Sequence, residues 1–146
     1  MRSGRAALTR IVLDTNIVLD YLSATRPRHL DAVDLLESLL SSGDVRAVVP
    51  AGSIKDAYYI LCRHYRNEKI VRSRIDDFRR LVDVAELTVP VLDAAFSSDE
   101  PDLEDAIVRS TAELLGAKAI VTRDATAYAR SSVPSMDART YCSQQP

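Results

Sequence analysis

Short runs of β-branched residues alternate along the chain with longer stretches of helical periodicity, and this alternation limits the fold more than any other feature of the sequence. Strands that alternate with helices are typical of βαβ units, which build parallel sheets. We therefore predict an α/β fold with a central, mostly parallel sheet of about five strands flanked by helices. The predicted strands are Arg10 to Asp14, Val45 to Pro50, one near Glu86 to Pro90, Ala119 to Thr122, and a weak fifth near Val133 to Met136.

Apolar residues spaced three or four apart predict the helices between these strands. One helix is expected from His29 to Leu40 and another over Ile70 to Val82, each with its apolar residues on one face. A third spans Asp102 to Leu115, where Gly116 supplies a C-terminal stop. Ser53 is placed to cap a further helix that follows the second strand.

Length and composition fit a single globular domain. The chain has 146 residues, of which 47% are hydrophobic and 27% charged, and it carries no internal repeat, low-complexity segment or linker. We expect a folded domain over residues 10–142, preceded by a short basic extension at 1–9 and followed by a tail at 143–146. The net charge of -2 argues against a protein that holds nucleic acid through bulk positive charge.

The cysteines and the short apolar runs indicate the cellular compartment of the protein. Cys62 and Cys142 stand alone, without the paired spacing of a zinc or redox motif. The apolar run after Arg10 is interrupted at Asp14, so we expect neither a signal peptide nor a membrane span. These features favour a cytoplasmic protein with reduced thiols and no membrane partner.

Four acids stand at the ends of strands or near the beginnings of helices, and they are candidates for a common site: Asp14, Asp56, Asp105 and Asp124. In open parallel sheets, ligands bind beyond the carboxyl ends of the strands, where the strand order reverses. If the first and fourth strands are neighbours there, Asp14 and Asp124 overhang one crevice. Taken singly, each acid is explained equally well by helix capping; Asp56, for instance, follows Ser53 at the spacing of a capping box.

Taken together, the four acids are better explained by a bound cation. Carboxylates that converge repel one another unless a positive charge lies among them. Mg²⁺ or Mn²⁺ prefers oxygen ligands, whereas His29 and His64 are isolated and offer no zinc cluster. A site of this kind suits phosphodiester hydrolysis, in which the ion activates water and neutralises charge on the phosphate.

Three blocks of sequence carry a resemblance to a known family. They are Ile11 to Leu19, Asp102 to Ala106 and Ala119 to Asp124. In this order and spacing they resemble the PIN-domain ribonucleases, many of which are VapC-type toxins of toxin-antitoxin pairs, and the resemblance extends from Arg10 to Tyr141. It implies a single PIN-like domain that is a metal-dependent endoribonuclease. It also implies an RNA substrate, a homodimer and a cognate antitoxin protein.

The resemblance implies roles for individual residues as well. Acids that match Asp14, Asp105 and Asp124 bind the divalent metal in the family. Asn16 and Thr122 match polar residues that support the site. The expected cofactor is therefore Mg²⁺ or Mn²⁺, bound at the carboxyl ends of the first and fourth strands.

This sequence departs from the family at the fourth acid. The family usually has Glu early in the helix after the second strand, whereas Asp56 is the acid available here and is one methylene shorter. We assign Asp56 the same metal-binding and catalytic role, with Asp102 and Glu104 as further candidate ligands. The departure leaves open a second interpretation, a catalytically weak PIN-like module that binds RNA or a protein without cutting. A phosphotransferase of the haloacid-dehalogenase kind ranks lower, because Asn16 stands where it needs a second Asp.

Basic residues offer candidate contacts for RNA. Lys55 and Arg123 each adjoin one of the proposed ligands, so they are the first candidates for substrate binding. Residues 63–80 contain seven Lys or Arg against three acids, which fits RNA contact and a solvated, ion-paired helix face equally well. Tyr58 and Tyr59 could stack on unpaired bases, but packing is the better interpretation.

Overall fold

The computed structural model of the chain describes residues 8–146. Most of the basic extension predicted at residues 1–9 lies outside the described residues. Thr9 is described, and it already belongs to the first strand. In the part of the chain that the structure describes, no helix combines the length and the apolar character needed to cross a membrane.

Five parallel strands form one sheet, which confirms the predicted fold class. In the sheet they lie in the order β3-β2-β1-β4-β5. The chain therefore builds outward from β1 through β2 to β3, then crosses to the other side of β1 for β4 and β5. The strand order reverses between β1 and β4. The strands are β1 (Thr9–Leu13), β2 (Val45–Pro50), β3 (Asp83–Ala85), β4 (Ala119–Val121) and β5 (Ser135–Met136).

Helices cover both faces of this sheet, because successive side chains of a strand point to opposite faces. In β1, Ile11 and Leu13 pack into a cluster on one face, whereas Val12 packs on the other face with Val108 and Tyr128. Strands buried in this way are expected to be continuously apolar, as β1 is. Within residues 8–146 the helices are α1 (Thr15–Leu22), α2 (His29–Ser41), α3 (Ala51–Tyr65), α4 (Glu68–Arg79), α5 (Val89–Phe96), α6 (Leu103–Leu115) and α7 (Ala138–Ser143).

The third strand was predicted in the wrong place. Strand β3 ends at Ala85, and the segment from Val89 onward is helix α5. The Thr88 side chain caps this helix by accepting a hydrogen bond from the backbone N–H of Val91. Pro90, which we read as the end of a strand, lies in the first turn of α5, where its missing N–H costs nothing.

The predicted cap at Ser53 is also wrong, whereas the predicted stop at Gly116 is confirmed. Helix α3 begins at Ala51, directly after β2, so Ser53 lies inside the first turn and is buried. Asp56 therefore does not belong to a capping box. Gly116 ends α6 with a left-handed backbone, φ +64°, which glycine adopts without steric cost.

Candidate active site

A cleft of about 420 Å³ gathers five residues that the sequence indicated: Asp14, Asn16, Asp56, Asp105 and Asp124. We call it the carboxylate cleft. It lies beyond the carboxyl ends of β1 and β4, where the strand order reverses, as expected for an open parallel sheet. Glu104 also lines it.

Asp14 follows β1 directly and is buried, with 7% of its surface exposed. One carboxylate oxygen accepts a hydrogen bond from the backbone N–H of Thr15 at 2.6 Å, so the side chain caps α1. The other oxygen accepts from the Thr122 hydroxyl at 2.9 Å. Capping and lining the cleft, which the sequence presented as competing roles, are both served by this residue.

Thr122 ties the ends of the two central strands together. Its hydroxyl donates to Asp14 Oδ2 and accepts the backbone N–H of Asp124 at 3.1 Å. Thr122 is buried, so this bond has little competition from water. The hydroxyl thereby fixes Asp14 relative to the loop that carries Asp124.

Asp105 lies half-buried in the first turn of α6, where the Asp102 side chain caps the helix by accepting the Asp105 N–H at 3.0 Å. Burial, followed by the negative charges of Asp14, Asp102 and Glu100, raises the pKa of Asp105 to about 6. The side chain is therefore partly shielded from water and has other acids as its charged neighbours.

Asp124 is exposed and is held by a turn. Its Oδ1 accepts hydrogen bonds from the backbone N–H groups of Thr126 and Ala127 and from the Thr126 hydroxyl. These bonds, the Thr126 hydroxyl foremost, lower the pKa of Asp124. The side chain caps a turn and not a helix, and it lines the cleft as an ionised carboxylate. Asp56, half-buried in α3, also lines the cleft.

The two predicted substrate-binding cations lie outside the carboxylate cleft. Lys55 lines a separate open groove between α3 and α4, together with Lys69 and Arg72. Arg123 lies against Asp20, with its Nε 2.8 Å from Asp20 Oδ2. The N–H is not aimed at that oxygen, so this contact is an ion pair and not a hydrogen bond.

The arginine-rich segment 63–80 is partly neutralised within its own helix. Arg72 pairs with Glu68, and Arg79 and Arg80 both pair with Asp76, all on the exposed surface of α4 or at its end. These contacts indicate that the three arginines belong to a solvated, ion-paired helix face.

The Tyr58 hydroxyl donates a hydrogen bond to Glu68, and this bond contributes most to raising the pKa of Tyr58 to about 12. Tyr59 lines the carboxylate cleft.

Sequence reasoning missed two residues beside the site. Tyr128 is 2% exposed, and its hydroxyl reaches Asp105 Oδ1 at 3.4 Å. The Glu100 side chain, 4% exposed, accepts the backbone N–H of Tyr128 at 3.3 Å. Neither residue belongs to a recognisable motif. The available signal was their position, since Glu100 lies shortly before Asp102 and Tyr128 shortly after Asp124 in the sequence.

The donor set of the cleft fits a hard divalent cation. Among residues 8–146 no three His, Cys, Asp or Glu side chains converge closely enough to form a complete metal cage. Mg²⁺ does not need one, because it commonly binds through one or two carboxylates and keeps several waters. Across the same residues, no Lys or Arg forms an ion pair with Asp14 or Asp105. Their charges are therefore available to an external cation.

Comparison with known proteins agrees with this geometry. The family described as PIN domain matches residues 10–126. Curated proteins include no match to the chain. Solved structures with a similar fold include VapC20 of Mycobacterium tuberculosis, described as a Sarcin-Ricin loop cleaving toxin, at 18% identity and a TM-score of 0.67, with 82% of this chain and 94% of that chain covered.

Two further structures have the same fold at low sequence identity. FitAcB from Neisseria gonorrhoeae has a TM-score of 0.70 and 17% identity, covering 88% of this chain and 98% of that chain. A toxin-antitoxin complex from Klebsiella pneumoniae has a TM-score of 0.65 and 17% identity, covering 88% and 97%. At these identities the likeness concerns the fold.

Proposed function

Since the chain belongs to the PIN domain family, we propose that it is a metal-dependent endoribonuclease that hydrolyses RNA phosphodiester bonds. The observation that carries the proposal is the pairing of Asp14 with Asp105 in an open cleft, with hydrogen-bond donors around them and, within residues 8–146, no Lys or Arg paired with either. Two carboxylates in this state form a site for Mg²⁺ or Mn²⁺.

Asp14 and Asp105 would hold the ion, and Asp124 and Asp56 face the same space from the loop after β4 and from α3. When bound, a divalent ion supplies a Lewis acid that activates water and neutralises charge on the phosphate. The chain contributes the positions of the carboxylates before substrate arrives. Thr122 holds Asp14, and Asp102 holds the first turn of α6.

The substrate would be an RNA strand lying along the open side of the cleft, its scissile phosphate next to Asp14 and Asp105. Ionised Asp124 would be free to orient water, since one of its oxygens is held by the turn and the other makes no hydrogen bond within the described residues. Asn16, exposed at the start of α1, offers an amide to the same space.

A structural neighbour described as a toxin-antitoxin complex supports a role as the toxin of such a pair, restrained in the cytoplasm by a cognate antitoxin.

Val89 and Phe96 of α5 are 68% and 72% exposed, and large apolar side chains so exposed are candidates for burial in a homodimer. Sedimentation of wild type and Phe96→Asp tests the dimer: a shift to monomer supports this face, and an unchanged mass contradicts it.

Cleavage of single-stranded RNA with Mn²⁺, by wild type and Asp14→Asn, tests the activity. The substitution keeps the size of the side chain and the acceptor for Thr15, but it removes the charge that attracts the ion. We expect wild-type cleavage that needs the ion and a variant at background. Equal cleavage by both proteins would contradict the proposal.

A second function, binding of RNA or protein without cleavage, is favoured by one observation. Asp56 stands where the family usually has Glu, and its side chain, one methylene shorter, lines the same cleft as Asp14. Asp56→Glu separates the two functions. If the shorter side chain weakens the enzyme, the variant should cleave faster than wild type. If the chain is a binding module, neither protein will cleave.

A further inference from the structure

Tyr128 has an unusual backbone for a bulky residue. Its φ of +65° lies in the left-handed region, which large side chains rarely adopt, and its side chain is almost completely buried. Strained conformations of this kind persist only where the surroundings enforce them, and they cluster at functional sites. The contacts around Tyr128 therefore need an explanation.

Two largely buried side chains, those of Glu100 and Arg109, hold this conformation. Glu100 accepts the backbone N–H of Tyr128 with one carboxylate oxygen, and Arg109 donates to the other oxygen at 3.3 Å. Arg109 is itself held by Asp99 at 2.7 Å and by Glu113 at 3.2 Å, and it donates to the carbonyl of Arg130 beyond Tyr128. The loop on both sides of Tyr128 is thus tied to α6 and to the segment before it.

These contacts place the Tyr128 hydroxyl next to Asp105. The phenol oxygen of Tyr128 lies 3.4 Å from Asp105 Oδ1, longer than the usual O–H···O distance of about 2.5–3.0 Å, so a small approach of the two groups completes the hydrogen bond. A phenol has an ordinary pKa of about 10, so at neutral pH the hydroxyl keeps its proton and can donate to a carboxylate. A phenylalanine would fill the same volume without offering that donor.

We propose that Tyr128 is a positioning residue, whose buried hydroxyl holds the Asp105 carboxylate beside Asp14 in the orientation in which the two can share a divalent cation. This inference rests on the proposed function. The Arg109–Glu100 pair acts through Tyr128 by fixing its backbone. Groups that orient metal ligands commonly change metal affinity or activity about 10-fold to 100-fold when they are removed.

Tyr128→Phe tests the hydroxyl, and Tyr141→Phe is the matched control. Tyr141 is also buried, but it packs in the core on the opposite face of the sheet. By calorimetric titration with Mn²⁺, we expect Tyr128→Phe to raise the dissociation constant at least about 10-fold, while Tyr141→Phe leaves it unchanged. In cleavage assays the same variant should lower kcat and leave the KM for RNA unchanged, because the hydroxyl does not meet the substrate.

A metal-free measurement separates positioning from packing. If the hydroxyl binds Asp105, Tyr128→Phe should lower the melting temperature by about 3 °C in the wild type and by much less when Asp105 is already alanine. Equal shifts in both backgrounds, together with an unchanged Mn²⁺ dissociation constant, would overturn the inference. A wild type that binds no Mn²⁺ would overturn the proposed function as well, and that result is visible before any change at Tyr128.

Discussion

Helix α1 has an acid near each end, and the two acids differ in their charged partners. Asp20, near the C-terminal end, is 1% exposed and lies between two arginines, with Arg26 Nε 2.8 Å from one oxygen and Arg123 Nε 2.8 Å from the other. Asp14, the N-cap, is 7% exposed; among the described residues its side-chain hydrogen-bond partners are a backbone N–H and a hydroxyl, and its negative charge helps to raise the pKa of Asp105.

This contrast teaches which acids serve the fold and which serve the site. A buried carboxylate with two guanidinium partners is a structural charge, because its desolvation is offset by its own ion pairs. A pair of carboxylates that has only neutral donors keeps its repulsion until a cation from outside arrives. Arg123, which the sequence offered for RNA binding beside Asp124, is paired with Asp20 instead.

The largest effect is expected from removing an acid of the carboxylate cleft. Asp105→Asn removes one of the two charges of the proposed cation site while keeping its shape. We expect the cleavage rate with Mn²⁺ to fall by about 10³-fold or more, equivalent to about 4 kcal/mol of barrier. Single-turnover cleavage of labelled RNA measures it. A loss of less than about 10-fold would mean that Asp105 is not a ligand.

The next largest effect is expected from removing the ion-paired acid, Asp20. Asp20→Ala leaves Arg26 and Arg123 without their carboxylate, and removing one partner of a buried ion pair typically costs about 3–5 kcal/mol. Because both arginines keep some contact with water, we expect the low end, about 3 kcal/mol, in urea unfolding. A loss below about 1 kcal/mol would show that Asp20 is not a structural charge.

A smaller effect of opposite sign sharpens the comparison. The pKa of Asp105 is raised to about 6 in the folded protein, above its ordinary value near 4, so the ionised side chain destabilises the fold above pH 6. Asp105→Asn should therefore stabilise the metal-free protein by about 1 kcal/mol at pH 7.5, allowing for solvent screening. As the pH falls through 6 towards 4, the wild type takes up the proton and the advantage of the variant disappears. Thermal unfolding in EDTA at both pH values measures this; an advantage that persists at pH 4 would contradict the cause.

The smallest effect concerns Lys55, which lies on α3 beside Asp56 but in the neighbouring groove. If RNA continues past the cleft over this groove, Lys55→Ala should remove one phosphate contact. We expect KM to rise about 2-fold to 5-fold at low salt with kcat unchanged, and the effect to shrink as salt screens the charge. A fall in kcat would instead place Lys55 at the chemistry.

The sequence predicted the sheet and the positions of the acids because both follow from local pattern. Short, β-branched apolar runs such as Ile11 to Leu13 favour buried strands, and the parallel topology then brings the ends of β1 and β4 together. The segment from Glu86 to Pro90 misled us, because β-branched residues before a proline fit both an edge strand and a capped helix start. Thr88 as a cap decided between them.

Long-range contacts were beyond the reach of sequence pattern. The pairing of Asp20 with Arg123 joins residues about a hundred positions apart, and nothing local distinguishes Arg123 from a substrate-binding arginine. The left-handed backbone of Tyr128 depends on Glu100, which lies 28 positions earlier. Both arrangements are set by tertiary packing, which no local pattern in the sequence encodes.

Diffraction from crystals soaked in Mn²⁺, collected at the manganese absorption edge, tests the central claim most directly. The contrast between Asp20 and the Asp14–Asp105 pair requires an anomalous peak in contact with carboxylate oxygens of Asp14 and Asp105, with none at Asp20. Soaked crystals of Asp105→Asn should lose that peak. A cleft without manganese in the wild type, or a peak that Asp105→Asn leaves unchanged, would contradict the claim that these two acids form a cation site.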